Sequence, residues 1–87
     1  AVCRRGGASA TFDRLNKYFT INNMPIVSSQ YWNSVHGAAQ GEAREDAEGM
    51  QTMRTLARNM AWLLRKIAAD SVQPPKAEER ISTNFIR

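Results

Sequence analysis

A chain of 87 residues allows one small domain, which buries only about 60–65% of its unfolded surface and so has a thin core. Hydrophobic residues make up 43% and charged residues 23%, a balance that excludes wholesale disorder. No apolar run approaches the roughly 20 residues of a membrane span, so no membrane partner is expected. The single cysteine, Cys3, excludes an internal disulfide framework or a cysteine-based zinc site, and no metal centre is expected. With no signal peptide in view, a reducing cytoplasm is the expected location. The net charge of +4 and pI near 9.8 admit anionic ligands without choosing among them.

The first element is the end of a strand, Ala1-Val2-Cys3, which runs straight into Arg4-Arg5-Gly6-Gly7. Ser9 offers a cap for a helix whose apolar positions are Ala8, Phe12, Leu15 and Phe19, spaced four, three and four apart. Asn22-Asn23 stops it, because asparagine tolerates the left-handed conformation that ends helices. Met24 to Ser29 reads as a short extended run, with Pro25 holding Met24 extended and standing where the first residue of a strand would. Strand end, helix and strand together make half of a parallel α/β arrangement.

Gln30 to Glu48 then forms a long connection. Its first half, with Tyr31, Trp32, Asn33, His36 and Gly37, reads as structured; its second, acidic half reads as solvated. From about Asp46 a long helix runs to Ala69, with Met50, Met53, Ala57, Met60, Leu64 and Ile67 on one stripe and Leu56 and Leu63 at its edge. Trp62 falls nearly opposite that stripe, among Arg54, Thr55, Arg58, Arg65 and Lys66. That is a place either for a cation–π pair with Arg58 or for a subunit contact. Pro74-Pro75 follows the helix, and residues 71–87 form a polar tail in which Phe85 and Ile86 are the candidates for docking. Residues 1–70 therefore form the structured part. One strand and a fragment of another cannot cover two amphipathic helices, so the sheet is completed either by oligomerisation or by a preceding portion of protein, the simpler of the two.

Two segments carry possible chemistry. Gly6 and Gly7 between a strand end and a helix start let a backbone approach a ligand and leave N–H groups for an acceptor, while Arg4 and Arg5 complement an anionic or electron-rich group. Tyr31 and Trp32 can wall or stack on a planar ligand. Ligands of open α/β sheets bind at the carboxyl ends of strands, so both segments are expected at one edge. No P-loop, dinucleotide fingerprint, carboxylate pair or nucleophile–base pair is present, and no catalytic residue is assigned.

The segments Cys3 to Ser9 (Cys-Arg-Arg-Gly-Gly-Ala-Ser), Phe12 to Phe19, Asn23 to Asn33 (Asn-Met-Pro-Ile-Val-Ser-Ser-Gln-Tyr-Trp-Asn) and Gly49 to Leu64 resemble the NADPH-dependent FMN reductase family of flavodoxin-like proteins. The likeness runs from Ala1 to about Ile67 and follows the order of that family's carboxyl-terminal half. It implies the carboxyl-terminal part of a flavodoxin-like three-layer α/β domain with a parallel sheet, in which Ala1 to Cys3 ends the fourth strand and Met24 to Ser28 is the fifth. It also implies an enzyme in the full-length protein: an NAD(P)H-dependent oxidoreductase with FMN as cofactor and NADPH or NADH as electron donor. The expected cofactor contacts are Arg4, Arg5, Gly6 and Gly7 along the flavin ring, with Tyr31 and Trp32 beside it. The family's habit of forming dimers or tetramers implies a homo-oligomer. The implied phosphate-binding loop lies outside these residues, so the chain by itself is expected to be inactive. The alternative class is a basic helical interaction or nucleic-acid-binding module, motivated by Arg54, Arg58 and Arg65. No nucleic-acid motif accompanies those arginines and Glu42, Glu45, Asp46 and Glu48 lie close by, so no nucleic-acid partner is expected.

Overall fold

The computed structural model describes residues 1–69 and 71–86; the boundary expected at Asp70 and the terminal Arg87 lie outside them. The elements are β1 (Val2–Cys3), α1 (Ala8–Thr20), β2 (Val35–His36), a 3₁₀ turn (Glu42–Arg44) and α2 (Ala47–Ala69). The two strands pair in parallel, Val2 opposite Val35 and Cys3 opposite His36. The result is a mixed α/β unit with a two-stranded parallel sheet, and the chain between the strands includes α1. No helix among the described residues is long and apolar enough to cross a membrane.

The start and end of α1 follow from backbone conformation. Gly7, at φ 87°, is the N-cap, and no side chain caps this end. Ser9, the expected cap, lies inside the helix instead, because the left-handed glycine turns the chain two residues earlier. At the far end Asn23 adopts φ 56°, the left-handed stop expected of it. The Met24 amide donates to Phe19 O at 3.1 Å and the Asn23 amide to Thr20 O at 3.2 Å, the paired bonds of a Schellman ending.

The second strand is not Met24 to Ser28. Those residues run without ladder pairing, and the partner of β1 comes later, at Val35–His36. Pro25 removes one donor from the earlier segment. Its Ser28 carbonyl is instead bound by Asn59 Nδ2 of α2 at 2.8 Å. In its place the Val35 amide donates to Ala1 O at 2.9 Å, and the Gly37 amide to Cys3 O at 3.1 Å. The acidic half of the connection is also ordered: Glu42 Oε2 accepts the amides of Ala38 (2.8 Å) and Ala39 (3.0 Å).

α2 packs on a face the apolar pattern does not mark. Its buried residues are Gly49 and Thr52, the latter only 1% exposed, and the half-buried Leu56, Asn59 and Leu63 continue the same line. Gln30 Nε2 reaches Thr52 Oγ1 at 3.4 Å. The expected stripe stays largely bare, with Met60 at 44%, Leu64 at 60% and Ile67 at 71% exposure. An open groove of about 350 Å³ lies between the helices, lined by Phe12, Leu15, Phe19, Ile26, Leu56 and Met60. Phe85 and Ile86 of the tail are not docked.

These exposures set the shape. The accessible surface is 8280 Å², against about 5200 Å² for a compact protein of this mass. The radius of gyration is 17.7 Å, against about 12 Å. Ala8 and Val35 are the buried hydrophobic residues among those described, so most of the apolar surface faces outward.

What joins β2 to α2 is Asp46. Its Oδ1 accepts the Gly49 amide at 2.9 Å, capping the helix, and its Oδ2 accepts the His36 amide at 2.8 Å. A β-carbon at Gly49 would collide with the Asp46 carboxylate and lie 3.0 Å from Val35 Cα. Gly49→Ala should therefore destabilise the protein by about 1–3 kcal/mol, read from urea unfolding. The same two amides, Gly49 first and His36 second, hold the Asp46 carboxyl below its ordinary pKa. A carboxyl depressed in the folded state stabilises above its unfolded pKa and loses that contribution as pH falls through the folded value. Asp46→Asn should accordingly flatten the loss of stability below about pH 4. An unchanged acid limb in the variant would show that the clamp does not contribute.

Candidate functional site

The carboxyl edge of the two strands gathers the turn Arg4–Gly7 after β1 and the His36–Gly37 corner after β2. The Gly37 amide on Cys3 O fixes the two exits side by side. Arg4, Arg5, Gly6 and Gly7 are all exposed. A β-carbon built on Gly6 or Gly7 would meet nothing within 4 Å, so the backbone there is open to a ligand. The first amide of α1 with an internal acceptor is that of Thr11, on Gly7 O at 3.1 Å. The amides before it, with no side-chain cap, point out of the helix end with the positive end of its dipole.

Tyr31 and Trp32 do not join this edge. They precede β2, beside its amino end, where the terminal amine of Ala1 donates to Asn33 O at 2.7 Å. With Val35 rather than Met24–Ser28 as the strand, the aromatic loop enters β2 instead of leaving it. The rings stack on each other, centroids 5.8 Å apart and planes 29° from parallel. They wall a cavity of about 340 Å³ with Phe12, Ile26 and Asn33. The Ser29 hydroxyl lies 2.6 Å from Tyr31 O and 2.7 Å from Asn33 Oδ1 and closes the turn that presents them.

Of the expected site residues, then, the structure brings Arg4, Arg5, Gly6 and Gly7 together and sets Tyr31 and Trp32 apart. His36 is half exposed, its Nδ1 3.5 Å from Asp46 Oδ2; the shared carboxylate serves backbone and ring together. Among the described residues no group of His, Cys, Asp and Glu is arranged to hold a metal ion.

Two residues that shape this edge carry weak signals in the sequence. Asp46 stands three residues before Gly49, a capping spacing that also identifies the helix start. Glu42 gives no pattern at all, since its acceptors' partners, the amides of Ala38 and Ala39, are invisible to side-chain periodicity. Those amides, Ala38 first, lower the Glu42 pKa.

Compared with known protein families, with curated proteins and with solved structures, the chain matches none.

Glu42→Ala should release the Ala38 and Ala39 amides and speed their hydrogen exchange, while the His36 amide, held by Asp46, keeps its rate. Exchange followed residue by residue by NMR distinguishes a local loosening of the edge from general fraying.

Proposed function

We propose that this chain is the carboxyl-terminal part of a flavodoxin-like, FMN-dependent NAD(P)H oxidoreductase and that it supplies the backbone lying along the flavin ring. The observation that carries the reading is the turn between β1 and α1. It combines a left-handed glycine, a second glycine with open space beside it, uncapped amides and two exposed arginines, at the carboxyl edge of a parallel strand pair. That edge is where open α/β sheets bind their ligands. The bare apolar faces of α1 and α2 support the same reading, because amphipathic helices of such a domain cover a sheet wider than two strands.

The donor set fits the group. FMN, when bound, accepts two electrons from a reduced nicotinamide. Gly6 and Gly7 present N–H donors to the electron-rich side of the ring, and substitution at either would interpose a side chain. Arg4 and Arg5 place positive charge where negative charge develops on reduction. Tyr31 and Trp32, at the other end of the strands, stay outside this contact, which rests on residues 4–7 alone. NADPH or NADH serves as donor, a cytoplasmic site suits the reaction, and the assembly is a homo-oligomer in this reading.

The protein purified from its own coding sequence should carry FMN, released on denaturation, and the bound flavin should bleach anaerobically on addition of NADPH or NADH. Gly7→Val should weaken FMN binding by roughly tenfold or more, since a β-branched residue resists φ near 87° and holds the backbone off the ring. A protein that neither carries FMN nor takes it up on reconstitution would overturn the proposal. Unchanged affinity and reduction potential in Gly7→Val would remove residues 4–7 from the flavin contact.

A further inference from the structure

α2 carries a third row of residues, used neither in its contact with the 28–30 segment nor in its apolar stripe. Glu48, Gln51, Thr55, Arg58, Trp62 and Arg65 follow one another at intervals of three, four, three, four and three. That spacing keeps side chains in line toward a neighbouring helix. All but Thr55 are exposed, Trp62 at 58%. Among the described residues, none of the row's charged members forms an ion pair within the chain.

The row is complementary to its own reverse. Turning α2 end over end about the point between Leu56 and Ala57 exchanges Glu48 with Arg65, Gln51 with Trp62 and Thr55 with Arg58. Two of the three exchanges match in chemistry and the third in size. A carboxylate meets a guanidinium, an amide oxygen meets an indole N–H donor, and a small hydroxyl residue leaves room for a long cation. A face arranged only for solvation has no need of such a match. The helix ends agree with it: Glu48 stands in the first turn and Lys66 in the last, so antiparallel copies set an acidic, dipole-positive end beside a basic, dipole-negative one.

We propose that this row is the isologous contact through which two copies of the chain pair, with α2 antiparallel to its counterpart across a two-fold axis. Trp62 is the apolar anchor. Arginine and tryptophan are the residue types that concentrate binding energy at interfaces. Beside the row lies a notch of about 250 Å³, lined by Ile26, Val27, Asn59, Trp62 and Leu63, which widens the contact beyond the two helices. A single helix row per copy makes a small interface, below about 1200 Å² in total, so charge complementarity governs its strength and its salt dependence. The pairing involves neither the glycine turn nor the groove between the helices, and it stands or falls independently of flavin binding.

Sedimentation velocity on the protein over a range of concentrations and salt provides the test. The wild type should associate to dimers that weaken as salt rises. Glu48→Arg alone or Arg65→Glu alone turns two attractions into repulsions and should raise the dimer dissociation constant roughly tenfold. The double swap Glu48→Arg/Arg65→Glu should restore it to near the wild-type value, an outcome that general damage to the fold does not produce. Trp62→Ala should weaken association with helix content preserved by circular dichroism. As a second measurement, Gln51→Cys/Trp62→Cys in a Cys3→Ser background should form a disulfide between copies. Within one helix the two positions lie about 16 Å apart and cannot bridge. A protein monomeric at every concentration, single swaps that associate like the wild type, a double swap as weak as the singles, or no cross-link would each overturn the proposal.

Discussion

The carboxylate of Asp46 ties together the three pieces on which the rest of the fold is hung. One oxygen closes the first turn of α2 and the other holds the backbone of β2 at His36. Because β2 is hydrogen-bonded to β1 through Ala1 and Cys3, the position of the glycine turn after β1 is referred back to the same carboxylate. Few other constraints are available, for only Ala8 and Val35 are buried hydrophobic residues among those described. Where a core is this thin, one doubly used polar group has an outsized effect on the relative placement of sheet and helix. Gly49 is its necessary companion, since any β-carbon there would meet the carboxylate and the Val35 backbone.

The helices were legible in the sequence because their ends are written in local chemistry. Asn23 adopts the left-handed conformation its type favours and Asp46 precedes α2 as a capping residue should, whereas α1 starts from Gly7, two residues before the cap expected at Ser9. Strand identity was not legible. Met24 to Ser28 has the composition of a strand, yet pairing depends on which backbone finds a partner, and Ser28 finds Asn59 of α2. Val35 and His36, an unremarkable pair in the middle of a long connection, pair with β1. That single exchange decides the site. The glycine turn remains at the carboxyl edge, whereas Tyr31 and Trp32 move to the amino edge.

The packing of α2 shows the same limit in another form. Hydrophobic periodicity marks the stripe through Met53, Met60 and Leu64, but periodicity reports what a helix is suited to bury and not what lies against it. Within this chain α2 meets the 28–30 segment through Thr52 and Asn59, about 100° around the helix from the stripe. Polar contacts suffice there because the segment presents a side-chain amide and a backbone carbonyl rather than apolar side chains. Of the stripe, Met60 borders the open groove beside Phe12 and Leu15, while Leu64 and Ile67 stay exposed.

α2 therefore presents three different faces. One face is engaged with the 28–30 segment. A second is apolar and bare, with Leu64 at 60% and Ile67 at 71% exposure, and amphipathic helices are stable in water when such a face is covered. The third is polar and exposed, with Trp62 standing among Glu48, Arg58 and Arg65. The extended dimensions of the chain, at 17.7 Å radius of gyration, go with a bare apolar face on α2 and a tail over 71–86 that stays exposed.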